Sequence, residues 1–473
     1  MASIGSEHAP RSHWRSSWSI PASRRADLGG AIATVRALFF DGSDSSLVRR
    51  LAGAAFIIRV ASAAIAFVSQ ILLARWMGGF EFGIYIYAWT WVLLIGGMAD
   101  LGLASAAQRF IPEYTEHGKF ALLRGFLRGS RWLALAISGT VAGLGATAIA
   151  VLTPHLDRQT IVPLYLSCLM VPMFALWQVQ GGIARSYNWV NLGLSPVYVL
   201  RQLVLLSLMA LAYAAGFPTD AITTTVLTVV TLLGVGVGQL VILDRRLAGA
   251  VPQGPRAYAP RAWLATSSPI FVVEAFFLLL SYADIIILQQ FRPANEVAFY
   301  YAAVKTLALV AFIHYSVAQT IAHKFAEYHV TGEHQRLTAF VKQSVRLTFW
   351  PSLGVILLLL VLGRPLLRLF GADFVSGYYL MFIIAIGLLA RAAVGPAERL
   401  LNMLGERRSC ALVYGASFGI NLILCVALIP GFGPAGAAIA SAVALVFESA
   451  CLFLVAKYRL GFHCLVFGGP SAA

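Results

Sequence analysis

Residues 221–243 read AITTTVLTVVTLLGVGVGQLVIL, from Ala221 to Leu243, without one Asp, Glu, Lys or Arg. At 1.5 Å per residue a helix of this length reaches about 34 Å, enough to cross roughly 30 Å of hydrocarbon. No water is present there to bond peptide groups, so such a run must satisfy its amides internally, as a helix does.

The same kind of run recurs twelve times, near residues 51–76, 82–108, 131–153, 160–182, 193–216, 221–243, 265–290, 296–321, 344–363, 376–397, 410–430 and 434–457. The whole chain is 59% apolar and 12% charged, with a mean hydropathy of +0.79; soluble domains carry about 25% charge. Neither an alternating strand pattern nor a βαβ rhythm is present. The fold class implied is an all-α integral membrane protein.

The net charge is +15. In a soluble chain such an excess points to nucleic acid, but in a membrane protein it marks the loops that stay on the cytoplasmic side. With the N-terminus inside, 26 Lys and Arg fall in inner segments and only Arg75, Arg158, Arg292, Arg364 and Arg368 in outer ones. The asymmetry implies both termini inside and no nucleic-acid partner. Residues 1–50 hold seven arginines but no apolar core with a cleavage site, so they read as a basic cytoplasmic tail. Cys168, Cys410, Cys425, Cys451 and Cys464 show no metal-ligand spacing, which leaves no metal or cofactor to expect.

The longest mid-chain break between runs, Asp244 to Arg261, carries Arg245, Arg246, Arg256 and three prolines. It divides the chain into a tail (1–50), a first six-helix bundle (51–243), a cytoplasmic linker (244–262), a second bundle (263–460) and a C-terminal tail (461–473). A shift of 215 residues aligns Ile71, Leu73, Glu81, Tyr85 and Ala88 with Ile286, Leu288, Glu296, Tyr300 and Ala303, and Arg109-Phe110 with Lys324-Phe325. An even number of spans per half gives both copies one orientation, as in transporters whose halves are related by a pseudo-two-fold along the membrane normal.

Ionisable groups inside spans are costly and usually face a wet cavity or one another. Here they are Arg59, Asp100, Arg201, Glu274, Asp284, Lys305, His314 and Arg391. Arg59 and Glu274 are equivalent under the shift, which predicts an ion pair across a central cavity, opened when an anion binds Arg59. The other reading is that Arg59, and likewise Arg201, snorkels to the headgroups. Asp284 and Lys305 lie on adjacent spans and read as a structural pair or as substrate contacts. Glu274, deep among apolar neighbours, is the better candidate for a coupling proton, and His314 reads as a packing group or a relay. The chain has no phosphate loop, HExxH or large external loop, so nothing points to an enzyme.

Three stretches carry a resemblance: Leu73-Ala-Arg-Trp-Met-Gly-Gly-Phe-Glu-Phe-Gly-Ile-Tyr85, then Asp100-Leu-Gly-Leu103 followed by Arg109, and Asp284-Ile-Ile-Ile-Leu288 followed by Tyr300-Tyr-Ala-Ala-Val-Lys305. With Glu398-Arg-Leu-Leu-Asn-Met-Leu-Gly405 and Pro430-Gly-Phe-Gly-Pro-Ala-Gly-Ala437, these resemble the polysaccharide transporter branch, the Wzx-type flippases, of the MOP superfamily. The resemblance implies two six-helix bundles around a cavity. It further implies the flipping of an undecaprenyl-diphosphate-linked oligosaccharide across the bacterial inner membrane, for O-antigen, capsule or exopolysaccharide, by H⁺ or Na⁺ antiport. Partners on that reading are the lipid-linked oligosaccharide, membrane lipids, and polysaccharide polymerase and chain-length proteins. Arg59 and Lys305 match positions of family cavity charge; Arg201 and Arg391 rest on their own burial. Asp100 and Glu274 are the acids facing them, with Asp284 beside Lys305. Departures from the family are the long N-terminal tail and the count of twelve rather than fourteen spans. The competing readings are a MATE-type exporter of drugs or cations, which would want a cavity dominated by carboxylates, a polymerase or ligase, which would want an external loop, and a non-transporting scaffold for glycan assembly.

Overall fold

A computed structural model describes residues 44–314, 316–318, 325, 328 and 333–466, with the side chains of 44–60 and 407 outside the description. The tail expected at 1–50 therefore lies outside the described residues except for backbone from Asp44, as do the Arg59 side chain and the chain beyond residue 466. The chain divides into two units, 1–53 and 54–473. The second unit carries every membrane-length helix among the described residues.

Among the described residues the secondary structure is helical and contains no strand. In chain order the helices are α1 (Asp44–Trp91), α2 (Leu103–Glu116), α3 (Phe120–Leu152), α4 (Arg158–Ser186) and α5 (Val190–Ala214). Then come α6 (Ala221–Ala250), α7 (Pro260–Phe291), α8 (Ala294–Leu307), α9 (His334–Val361) and α10 (Gly363–Phe370). The last are α11 (Tyr378–Val394), α12 (Ala397–Met403), α13 (Arg407–Phe432) and α14 (Pro434–Leu460).

Among the described residues eleven helical stretches are long and apolar enough to cross a bilayer. Large apolar side chains face outward on them, among them Val151 and Val361 at 76% exposure and Leu412 at 75%, a surface suited to lipid rather than water. The chain is a multi-pass membrane protein.

The run Ala221–Leu243 shows how polar side chains fit this environment. The Thr224, Thr225, Thr228 and Thr231 hydroxyls donate to the carbonyls of Asp220, Ala221, Thr224 and Leu227 one turn earlier. Each hydroxyl is satisfied without a partner helix. Asp220 opens the helix by accepting from the Thr223 amide at 2.8 Å, a side-chain N-cap.

Eleven stretches and twelve apolar runs are reconciled at Gly78. The first stretch, Ala61–Gly96, holds the first two runs with no loop between them, and Gly78 (φ 77, ψ 167) is non-helical, a geometry that needs glycine. A straight helix would separate Ser62 from Gly97 by about 52 Å, yet both line one cavity. The chain therefore reverses at Gly78, and α1 is two antiparallel spans.

The second difference is at 97–102. The sequence reads as one span over 82–108, whereas the helix ends in a π turn, Val92–Gly96. Leu101 (φ 48) and Gly102 (φ 74) then turn the backbone, and α2 restarts as an amphipathic helix. Asp100 makes the break tolerable, its carboxylate accepting from the Gly102 amide at 3.1 Å and the Ala104 amide at 3.0 Å. Another π turn, Pro196–Leu200, interrupts α5, where Pro196 has no N–H to give the preceding turn.

Opposite the basic loops, the two sets of spans are tightly joined. A Cβ on Gly83 would lie 1.8 Å from the Ala294 carbonyl oxygen, so α1 and the start of α8 meet backbone to backbone. Gln290 Nε2 donates to the Tyr87 hydroxyl at 2.8 Å, Arg75 Nε to the Leu369 carbonyl at 2.6 Å, and Phe82 packs edge-on against Tyr301 and Phe374. The repeat read from sequence has a structural counterpart here. Glu81 accepts from the Ala221 amide at the start of α6, and Glu296 lies against Gly433 at the start of α14. At the basic end, residues 251–259 are strapped to α3: Arg124 donates to the Pro252 and Pro255 carbonyls, both at 2.8 Å, and Trp263 packs edge-on against Phe126.

Candidate functional site

A cavity of about 1080 Å³ lies between the two sets of spans. Ser62, Trp89, Asp100, Ser105, Arg185, Tyr198 and Arg201 line it from the first set, and Glu274, Tyr282, Phe312 and Arg399 from the second. Among the described residues five charged side chains thus share it, three of them arginines. The two π turns sit on its wall through Leu93, Val197 and Tyr198, and such turns often mark functional positions in helices.

Arg201 follows directly on the π turn of α5 and is 7% exposed. Its guanidinium carbon stands 4.2 Å from the centre of the Trp89 ring, a cation–π contact strengthened where water is scarce. Tyr85 lies beside it, while among the described residues Nη1 is buried with no hydrogen-bond partner. Arg185, in the last turn of α4, likewise has a buried Nε without one.

The acids differ from the arginines in being engaged locally. Glu274 on α7 accepts from Ser105 Oγ on α2 at 2.6 Å, which ties the two sets of spans together at this depth. Asp100 accepts the two α2 amides described above. It lies outside the span Ala61–Gly96, and burial raises its carboxyl to about 6, against the pull of those two amides; Glu274 raises it slightly further and Arg185 lowers it.

Of the residues singled out from sequence, Asp100, Arg201 and Glu274 line this cavity and Lys305, Asp284 and Arg391 do not. Asp284 on α7 accepts from the Tyr300 hydroxyl, from Ser441 Oγ at 3.0 Å and from the Ile285 amide at 2.8 Å. Lys305 is not bonded to it; its Nζ sits 5.1 Å from the Tyr301 ring centre. Arg391 faces Glu448, with Nη2 3.8 Å from the carboxylate. The Arg59–Glu274 pair involves a side chain outside the described residues. Arg185 and Arg399 escape a reading by hydropathy because each sits at the end of an apolar run, where it counts as a loop charge.

The family model described as "Polysaccharide biosynthesis protein" matches residues 50–322, more than half of the chain. This protein belongs to the polysaccharide biosynthesis protein family. A probable low-salt glycan biosynthesis flippase, Agl15 of Haloferax volcanii, is 21% identical over 395 residues, covering 82% of this chain and 79% of its own. The lipid II flippase MurJ in an inward closed conformation superposes with a TM-score of 0.67 at 15% identity, over 85% of this chain and 87% of that one. An inward-facing multidrug resistance MATE transporter of the MOP superfamily gives 0.68 at 13% identity, over 86% and 98%. These two structures are likenesses of fold. The chain is a multi-pass membrane protein of this family.

Proposed function

We propose that this protein flips a polyprenyl-diphosphate-linked oligosaccharide, such as an undecaprenyl-diphosphate glycan, across the bacterial cytoplasmic membrane for O-antigen, capsule or exopolysaccharide synthesis. One observation carries this reading: among the described residues, both acids of the cavity accept hydrogen bonds from the protein, while two of its arginines each keep a buried N–H group without a partner. Glu274 is bonded by Ser105 and Asp100 by two amides, whereas Arg201 Nη1 and Arg185 Nε have no hydrogen-bond partner. A diphosphate supplies the acceptors that a guanidinium in a dry site lacks. An exporter of organic cations would need a free carboxylate in the same place.

The basic end is cytoplasmic on this reading, with both termini inside. Arg201 and Arg185 take the diphosphate, Tyr198 and Tyr282 meet the first sugars, and the packed contacts around Gly83 close the outer side while substrate enters. Lys305 and Asp284 hold the outer closure, and the step is driven by ion antiport. Lipid-linked oligosaccharide and membrane lipids are the ligands, and polymerase and chain-length proteins the expected protein partners.

The test is movement of a fluorescent polyprenyl-diphosphate glycan between leaflets of proteoliposomes containing the purified full chain. Flipping well above protein-free vesicles supports the reading. No flipping with several lipid-linked glycans, together with uptake of organic cations, would replace it with the exporter reading.

A further inference from the structure

Away from the main cavity, a small space of about 10 Å³ lies between His314, Arg391, Glu398 and Glu448. A space of that size admits about one water. Glu448 on α14 is 1% exposed, and among the described residues neither of its carboxylate oxygens has a hydrogen-bond partner. The nearest cation, Arg391 Nη2, stands 3.8 Å away, beyond hydrogen-bonding range. His314 Nδ1 is also buried without a partner. Ser449, also on its wall, donates its hydroxyl to the Leu445 carbonyl. An ionised carboxylate with no donor in so dry a place is very unfavourable, so the site is built for a group that gives up its charge.

We propose that Glu448 is a proton-binding site whose loading is coupled to transport, with Arg391 as the counter-ion of its charged form. The inference deepens the flippase reading by naming its coupling ion. Binding is simple in chemistry: a proton adds to one Glu448 oxygen, the carboxylate becomes a carboxylic acid, and one negative charge disappears. The groups facing Glu448 are Arg391 from α11, Glu398 from α12 and Tyr414 from α13, with His314 on the segment after α8. His314 in turn feels Arg391 and Arg399.

Two features select a proton over a sodium ion. Hard cations need a shell of several oxygen ligands, and the space holds about one water. A guanidinium at its edge also repels a cation but not a proton taken up by its own partner carboxylate. The path to the main cavity is short. When Glu448 is neutral, Arg391 is left with Glu398, whose neighbour in sequence, Arg399, lines the main cavity. Proton loading on α14 thereby reaches the substrate chamber through α12.

The experiment uses the full chain in lipid nanodiscs and infrared difference spectra between acidic and alkaline buffer. Wild type is expected to show, in acidic buffer, the carbonyl band of a buried carboxylic acid, and to lose it in alkaline buffer. Glu448→Gln should abolish that band, and the wild-type band should be insensitive to sodium. A band unchanged in Glu448→Gln overturns the proposal. Should that variant fail to fold, carbodiimide modification of wild type, mapped by mass spectrometry, gives the same answer: Glu448 labelled at acidic pH and protected at alkaline pH supports it, and an unlabelled Glu448 refutes it. In proteoliposomes, Glu448→Gln should lose at least tenfold of the acceleration by a proton gradient while gradient-free lipid exchange continues. A wild type accelerated by a sodium gradient and not by a proton gradient overturns the coupling. A wild type that shows the band and moves no lipid-linked glycan supports the proton site and counts against the flippase reading.

Discussion

Replacing Arg201 by Met tests the reading of the cavity most directly. The guanidinium is almost wholly buried, rests on Trp89 at 4.2 Å and has one N–H group without a partner. A charge-assisted bond from such a group to phosphate contributes about 1.5–3 kcal/mol, or roughly a 10- to 150-fold change in affinity. Met fills similar volume and removes a buried charge, so the fold should survive, with a melting temperature equal to wild type or above it. Arg201→Lys keeps the charge but loses the planar fork and the ring stacking, and should fall between the two. The assay is the concentration of fluorescent lipid-diphosphate glycan that half-saturates flipping, with a neutral lipid-linked glycan as control. Half-saturation should rise about tenfold or more for Arg201→Met with the diphosphate substrate. A folded Arg201→Met protein with wild-type half-saturation would show that the diphosphate binds elsewhere.

Three other outcomes rest on particular contacts. Gly83→Val places a side chain where a Cβ alone stands 1.8 Å from the Ala294 carbonyl oxygen; the outer closure should fail, and a cysteine introduced at Tyr87 should label from outside faster than in a Gly83 background, unchanged labelling contradicting the assignment of that seam. Tyr300→Phe withdraws one of three donors from the buried Asp284 carboxylate and should destabilise by about 1–3 kcal/mol, read as a lower melting temperature that Asp284→Asn partly restores in the double variant. For Asp100, whose carboxyl is raised from 3.8 to about 6 by burial, the folded state holds the proton more tightly than the unfolded one, so stability falls as pH rises from about 4 to about 6 and is level above. Asp100→Asn should flatten that slope, and an unchanged slope in melting curves would assign it to another group.

The membrane class is legible in the sequence because it rests on local quantities. Twenty apolar residues in line can satisfy their backbone in hydrocarbon only as a helix, and the run Ala221–Leu243 needs no neighbour for its threonines to be satisfied. The family resemblance at Leu73–Tyr85 and Asp100–Leu103 is equally legible, since glycine at a reversal and Asp at a helix start leave fixed marks. Arg201 and Glu274 are identifiable as candidates because a charge inside an apolar run is costly, although the same rule also picks out Asp284, Lys305 and Arg391, which lie away from the cavity.

What the sequence leaves open depends on which faces meet. Hydropathy marks Arg391 as a buried base but not that its counter-ion is Glu448, 57 residues further on across a helix interface. Glu448 itself reads as part of an apolar run. Arg185 and Arg399 sit at helix ends, where composition alone makes them loop charges, and only the packing of α4 and α12 turns them into the chamber. The break at 97–102 is a backbone event that an average over twenty residues smooths away. One-dimensional hydrophobicity thus sets which residues enter the bilayer, while the pairing of charges, and with it the difference between an acid already bonded and an arginine waiting for a ligand, arises only when helices distant in sequence are packed side by side.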